Sequence, residues 1–85
     1  MTAEALDGNA AAGILFTAYG REMTPVMATC MSCGNIGPLA EAVAYLHAPG
    51  AVLRCRSCGV VLLVVLPRPD ATVSHEVHVQ LATDR

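Results

Sequence analysis

Two cysteine pairs with the same short spacing constrain this chain more than any other feature. The first pair is Cys30 and Cys33, the second is Cys55 and Cys58, and a glycine follows each pair. Two intervening residues allow one tight turn to direct both sulfur atoms at a point about 2.3 Å away, the length of a zinc–sulfur bond. Two such turns supply the four ligands of a closed tetrahedral site. The spacing therefore predicts one structural zinc ion bound by all four cysteines.

The residues beside the cysteines are predicted to support this site. Gly34 and Gly59 can adopt a positive φ, which allows backbone amides to turn toward the sulfurs. Arg54 and Arg56 flank Cys55. Two interpretations of their charges remain open: a positive contact surface, or local neutralisation of the negative metal–thiolate centre. We favour the second.

Other uses of four cysteines explain the pattern less well. Disulfides need an oxidising compartment, and the sequence carries no visible export signal. A thioredoxin-type redox site needs one such pair at the start of a helix, whereas here two pairs lie between predicted strands. A rubredoxin-type iron site uses the same four sulfurs and stays open as an alternative. The aromatic core of that family is hard to build from one Phe and two Tyr residues.

Catalysis is disfavoured by the same ligand set. A catalytic zinc ion keeps one coordination position for water or substrate, and four cysteines close the site. No phosphate-binding glycine loop, paired carboxylates or Ser-His-Asp arrangement accompanies them. The sequence therefore predicts that the chain is not an enzyme.

Composition places the chain among small globular domains. Hydrophobic residues make up 54% of the 85 residues and charged residues 14%, and a core this small usually needs a metal or disulfides as a staple. The net charge is −2 and lysine is absent, so no basic stripe for nucleic acid is visible. The longest apolar run, Val60–Leu66, is far shorter than the roughly 20 residues that span a membrane. We expect a cytoplasmic protein that does not enter membranes.

The N-terminal region is predicted to hold the only helix of a single domain over residues 7–85, behind a flexible tail at residues 1–6. The helix covers about residues 10–19 and ends at Gly20. It has almost no polar face, and a domain this small cannot enclose every side of it. The apolar residues expected to be shared between the core and a partner protein or a second copy of the chain are Ile14, Leu15, Phe16 and Tyr19.

Strands are predicted on both sides of the cysteine pairs. Residues 25–29 lead into the first pair and residues 51–54 into the second. Residues 39–47 have a helix-like composition, but their place between the pairs favours a strand. Met27 and Met31 are predicted to be ordinary packing residues.

The C-terminal part is predicted to form a β-hairpin. Val60–Leu66 is apolar without alternation, which is typical of a strand covered on both faces. Residues 72–81 alternate apolar and polar side chains, which predicts a half-exposed strand. His75 falls on its apolar face and is predicted to be a core or edge residue, whereas His47 and His78 are predicted to be exposed and are not needed as ligands. The expected fold is a small mainly-β zinc ribbon with a short N-terminal α-helix and this C-terminal hairpin.

Several short stretches are distinctive beyond the cysteine spacing. They are Asp7-Gly8-Asn9, the two cysteine turns, Gly37-Pro38-Leu39, Ala48-Pro49-Gly50 and Val52-Leu53-Arg54-Cys55. Over about residues 6–66, the chain resembles a family of short bacterial zinc-ribbon proteins of uncharacterised function. The chain departs from the family where Arg56 replaces a common proline, and where the strand with His75 and His78 replaces a shorter, Trp-containing one. The resemblance implies a zinc ribbon and, more weakly, an association with flavin reductase and molybdenum oxidoreductase systems.

The function that these observations favour is protein binding. We expect a non-catalytic, zinc-stabilised adaptor or accessory subunit that binds another protein, which could belong to an oxidoreductase system, or itself. The alternatives are a nucleic-acid or ribosome-associated zinc ribbon and a rubredoxin-like iron redox module. Metal analysis would distinguish a coloured iron form from a colourless zinc form.

Overall fold

The computed structural model describes residues 5–47 and 50–82. This part of the chain contains eight short β-strands, one α-helix and two 3-10 helices. For His47 the backbone alone is described. The helix α1 is Ala12–Tyr19, and the strands are β1 Ala5–Asp7, β2 Met27–Cys30, β3 Ile36–Pro38, β4 Val43–His47, β5 Gly50–Arg54, β6 Val61–Pro67, β7 Thr72–Glu76 and β8 Val79–Leu81.

The strands form two antiparallel sheets. One has five strands in the order β1-β4-β5-β6-β7, and the other has three in the order β3-β2-β8. One cluster of buried side chains joins both sheets to α1, and its largest fully buried members are Leu15, Met23, Leu39, Leu53, Leu63 and Val65. The predicted mainly-β ribbon with an N-terminal helix and a C-terminal β6–β7 hairpin is confirmed. Within the described residues, no helix is long and apolar enough to cross a membrane.

The helix region begins one turn earlier than α1 itself. Asp7 accepts a hydrogen bond from the N–H of Asn9 at 3.1 Å and starts a 3-10 helix, Gly8–Ala11, which continues into α1. Gly20 ends α1 with a φ of 74°, and its N–H donates to Phe16 O at 2.7 Å. The predicted helix and its glycine stop are confirmed.

Gly8 allows two backbone segments to approach each other closely. A Cβ atom at this position would overlap the carbonyl oxygen of Leu39 and lie 2.8 Å from its carbonyl carbon. Leu39 belongs to a second 3-10 helix, Leu39–Glu41, and is fully buried. Only glycine therefore lets these two short helices pack together.

Two sequence expectations for the five-stranded sheet were wrong. Ala5 and Leu6 were assigned to a flexible tail, but they pair with Tyr45 and Ala44 as part of β1; residues 1–4 lie outside the described part. The strand expected over residues 39–47 begins only at Val43, because the N–H groups of Leu39 and Ala40 bond the carbonyls of Val26 and Thr24 instead of a neighbouring strand.

The strand expected over residues 72–81 is divided between the two sheets. Its first half is β7, at the edge of the five-stranded sheet, and its second half is β8, in the three-stranded sheet. Between them, the N–H groups of Val77 and His78 both point to Leu62 O, at 2.8 and 3.2 Å. His75 and His78 are both exposed, so His75 is an edge residue and not a core residue.

Strand β6 is covered on one face only, which corrects the expectation of two covered faces. Leu63 and Val65 are fully buried, whereas Val64 is half-buried and Leu66 is 38% exposed. The apolar side chains on this uncovered side of the five-stranded sheet, here called the outer face, are Val43, Tyr45, Val52, Val64, Leu66 and Val73.

Candidate metal centre

Two β-hairpins carry the four cysteines. Cys30 ends β2 and the turn after it leads to β3, while Cys55 follows β5 and the turn after it leads to β6. Each first cysteine donates its N–H to the carbonyl five residues on, Cys30 to Asn35 O at 2.8 Å and Cys55 to Val60 O at 2.9 Å. The two turns are therefore built by the same hydrogen-bond pattern.

The glycine after each pair has the backbone conformation that the sequence predicted. Gly34 has a φ of 82° and Gly59 a φ of 83°. Each donates its N–H at 2.9 Å to the carbonyl of the cysteine four residues earlier. With the chain reversed in this way, other amides reach the sulfurs: the N–H of Cys33 lies 3.5 Å from Cys30 Sγ, and that of Ser57 lies 3.3 Å from Cys55 Sγ.

The four sulfur atoms form one cluster. All of them lie within 4.8 Å of one another. The distances between Cys30 Sγ and Cys58 Sγ and between Cys33 Sγ and Cys55 Sγ are both 3.7 Å. A tetrahedron with metal–sulfur bonds of about 2.3 Å has edges of about 3.8 Å, whereas a disulfide holds its sulfurs about 2.05 Å apart. The donor set therefore fits a four-coordinate metal ion, with Cys30, Cys33, Cys55 and Cys58 as its ligands.

The thiols differ in how readily they lose a proton. The N–H of Cys33 lowers the pKa of Cys30 to about 6. The N–H of Asn35 acts to lower the pKa of Cys33, but loss of solvation and the neighbouring Cys55 thiol outweigh it and raise that pKa to about 11. Thiolates this close repel one another, so the fully deprotonated set requires a cation between them.

The centre lies where the two sheets meet. The first pair extends the three-stranded sheet, and the second extends the five-stranded sheet. Cys30 and Cys55 are buried at the edge of the core, whereas Cys33 and Cys58 are exposed. A metal ion at this position would cross-link the two sheets.

A family whose function is unknown, DUF6510, matches residues 1–82 of the chain. The chain belongs to this family. The match covers the helix, both sheets and all four cysteines, and it confirms the resemblance to a family of unknown function. No curated protein and no solved structure matches the chain.

Arg54 and Arg56 support the second cysteine turn in different ways. Arg54 donates from Nη1 to Gly59 O at 2.9 Å, and its guanidinium carbon lies 5.9 Å from the ring centre of Tyr45. Arg56 Nη1 forms an ion pair of 2.8 Å with Glu41 Oε1 at the surface. Among the described residues, neither guanidinium group hydrogen-bonds a cysteine sulfur. Any effect on the thiolate charge is therefore exerted at longer range than a direct contact.

Only one of the four helix residues proposed as partner contacts presents a largely exposed apolar side chain. Leu15 is fully buried in the core, which rules it out as a contact on the folded domain. Ile14 and Tyr19 are half-buried and pack against the core, and the Tyr19 hydroxyl bonds Ser74 Oγ at 2.6 Å. Phe16 is 55% exposed. The helix is thus more completely covered than its apolar sequence suggested.

The sequence reasoning missed an exposed apolar surface beside the cysteines. Met27, Met31 and Ile36 are 44%, 59% and 63% exposed, so Met27 and Met31 are not the ordinary packing residues that were expected. They lie on or next to the side of the three-stranded sheet that faces away from the core, here called the ribbon face. The alternation of β2 could have indicated this surface, because exposed Met27 is followed by buried Ala28.

Proposed function

We propose that this protein is a non-catalytic, zinc-stabilised module that binds another protein in the reducing cytoplasm. The cluster of four cysteine sulfurs, closed and shared between two sheets, is the observation that supports this proposal. A zinc ion held by four thiolates has no position for water or substrate, so its contribution is to hold the fold together.

The cysteine turns are the part of the fold that most needs such a staple. The three-stranded sheet has strands of only three or four residues, which is shorter than the usual length of about five or six. Linking the first turn to the second would fix this sheet against the larger one. The ribbon face would then be presented on a rigid support.

The ribbon face has the character of a protein-binding surface. Its two methionines are flexible and polarizable, and such side chains adapt to different partners. Ile36 is the most exposed large apolar side chain among the described residues. Phe16 on α1 adds a second, single exposed apolar side chain, and it is what remains of the contact surface proposed from the sequence.

Metal analysis tests the first half of the proposal. Protein purified without added metal should contain about one zinc ion per chain and should be colourless. Removing the metal with a chelator should abolish the cooperative unfolding transition, because the apparent binding energy of structural zinc is about 10–16 kcal/mol. A coloured, iron-containing protein would favour the redox alternative, and a metal-free protein that unfolds cooperatively would contradict the proposal.

Affinity capture tests the second half. A partner identified with wild-type protein should, after purification, bind wild type in calorimetry and lose binding to Ile36→Glu. Thr17→Glu is the matched control, since it places the same charge at an exposed position of α1. Loss with Phe16→Glu instead would assign the contact to the helix. If neither Ile36→Glu nor Phe16→Glu weakens binding, the proposed surfaces are wrong.

A further inference from the structure

Two of the four candidate sulfur ligands are open to solvent. Cys33 and Cys58, the second cysteine of each turn, are exposed, whereas Cys30 and Cys55 are buried. A cysteine that binds a metal does so as the thiolate, which is also its nucleophilic form. Oxidation of cysteine is favoured by thiolate character together with exposure. The two exposed sulfurs are therefore the ones that a small oxidant in solution reaches first.

The outer part of both turns is exposed along its whole length. Residues 31–34 and residues 56–59 are all exposed. The two arginines at the second turn are engaged with oxygen atoms and not with sulfur: Arg56 pairs with Glu41, and Arg54 donates to Gly59 O. A small uncharged oxidant can thus approach both exposed sulfurs without displacing any part of the fold.

Each exposed sulfur lies beside a buried sulfur of the opposite turn. Cys58 Sγ is 3.7 Å from Cys30 Sγ, and Cys33 Sγ is 3.7 Å from Cys55 Sγ. A disulfide bond is about 2.05 Å long, so each pair would have to close by about 1.7 Å. A reactive exposed cysteine next to a second cysteine that can resolve it is the usual arrangement of a redox-sensing site. The cluster contains this arrangement twice.

The chemistry of each pair balances with one molecule of a peroxide. The exposed thiolate attacks one peroxide oxygen, so that the O–O bond breaks, an S–O bond forms and hydroxide leaves. The buried thiolate then attacks the sulfur of this sulfenic acid, which forms the S–S bond and expels a second hydroxide. Two electrons pass from the two sulfurs to the peroxide, and two protons from solvent convert the hydroxides to water.

We propose that hydrogen peroxide converts the four thiolates into two disulfides, Cys30–Cys58 and Cys33–Cys55, and that the chain releases its metal ion as they form. This inference rests on the proposed structural zinc ion and adds a regulation to the same site. Both disulfides join one turn to the other, so the two sheets remain cross-linked after the metal is lost. Thiol reductants restore the thiolates by disulfide exchange, which makes the change reversible.

Metal release tests the first part of the proposal. Zinc-loaded protein treated with hydrogen peroxide should release one zinc ion per chain to a colorimetric indicator and consume two peroxide molecules. Dithiothreitol and added zinc should then restore the original metal content. Met27 and Met31 are also exposed, but thiols do not reverse methionine sulfoxide as they do a disulfide, so this recovery assigns the release to the cysteines.

Tryptic peptides of the oxidised protein test the pairing. Trypsin cleaves after Arg54 and Arg56, which places Cys55, Cys58 and the first cysteine pair on three separate peptides. Disulfides between the turns join all three peptides into one species, and its fragmentation in a mass spectrometer should connect Cys30 to Cys58. Disulfides within the turns would instead leave residues 22–54 as a separate peptide, and this result would overturn the pairing.

A double variant tests the role of the exposed sulfurs. Cys33→His with Cys58→His keeps four ligands, because two cysteines and two histidines also form structural zinc sites, and it should hold its metal in peroxide. Ser32→His with Ser57→His is the matched control, since it adds two histidines at exposed positions of the same turns and should release metal like wild type. Release from the first variant at the wild-type rate would contradict the proposal.

A single variant keeps the test decisive if the double variant binds no metal. Cys58→His should release its metal through the Cys33–Cys55 disulfide alone, so that the peptide beginning at Ser57 is recovered unlinked. A wild-type protein that contains zinc and keeps it in excess peroxide overturns this inference and leaves the proposed function intact. A wild-type protein that folds without any metal overturns the proposed function itself.

Discussion

Gly8→Ala is the substitution whose effect the structure defines most sharply. The added Cβ would lie 2.8 Å from the carbonyl carbon of Leu39 and 3.0 Å from Ala40 Cα, and it would overlap Leu39 O. Ordinary contacts between such atoms begin at about 3.5 Å. All three neighbours are backbone atoms, so no flexible side chain can move aside. The two 3-10 helices must separate.

The loss of stability in Gly8→Ala follows from the core contacts that this separation disturbs. Gly8–Ala11 carries Ala11 and leads into Leu15, and both are buried against the same core as Leu39. Overpacking a core typically costs about 1–3 kcal/mol, and a rigid backbone neighbour places Gly8→Ala at about 3 kcal/mol. For a domain of this size, the melting temperature should fall by about 12–24 °C.

Thermal and denaturant unfolding of metal-loaded protein, followed by circular dichroism, measures this difference. Gly13→Ala is the matched control, because a Cβ there meets nothing within 4 Å and the residue lies in α1. Alanine is the better helix former by about 1 kcal/mol, so this variant should be more stable than wild type. If Gly8→Ala unfolds within 0.5 kcal/mol of wild type, roughly the scatter of neutral surface changes, the tight contact between the two helices is wrong.

Three further predictions concern the cysteine turns, the helix contact and nucleic acid. Cys55→Ser should abolish cooperative unfolding, because structural zinc contributes about 10–16 kcal/mol against a net stability of about 5–15 kcal/mol; a variant that melts cooperatively with bound metal would contradict it. Burial raises the pKa of Tyr19 to about 12, with Glu76 contributing. In Tyr45→Phe protein, Tyr19 is the one remaining tyrosine, and ultraviolet absorbance should show its hydroxyl titrating near 12 and not near 10. Because the folded pKa is raised, the stabilising effect of the Tyr19 hydroxyl should be complete below pH 10 and lost as the pH approaches 12, so the stability of Tyr19→Phe should approach that of wild type over this interval. Duplex DNA should bind no more tightly than about 10⁻⁶ M at physiological salt, and a tighter complex in a filter-binding assay would return the nucleic-acid alternative.

The cysteine turns could be predicted because each is specified within six residues. Cys30 to Gly34 contains the ligand spacing and the glycine that reverses the chain, and the second turn repeats both. The same is true of the helix end, where Gly20 adopts the positive φ expected of it. Local chemistry determines these features, so they can be read without knowing the rest of the fold.

Contacts between distant parts of the chain were not predictable in the same way. Nothing in the first residues indicates that Ala5 pairs with Tyr45 across 40 positions. The helix-like composition of residues 39–41 was recognised, but the bonds to Thr24 and Val26 that hold them in a 3-10 turn connect separate segments. The break at Val77 was hidden because the apolar–polar alternation keeps its phase from β7 into β8.

The apolar, unalternating sequence of β6 predicts a strand with both faces covered, and the folded chain differs from this prediction. Such strands usually have both faces covered, yet this chain covers the side of Leu63 and Val65 and leaves Val64 and Leu66 partly exposed. Valine at Val52 and Val64 has a reason within one copy, because the two half-buried side chains are direct cross-strand partners and β-branched residues suit strands. An unalternating apolar run therefore reflects strand propensity and cross-strand packing here, and it does not require a second covered face.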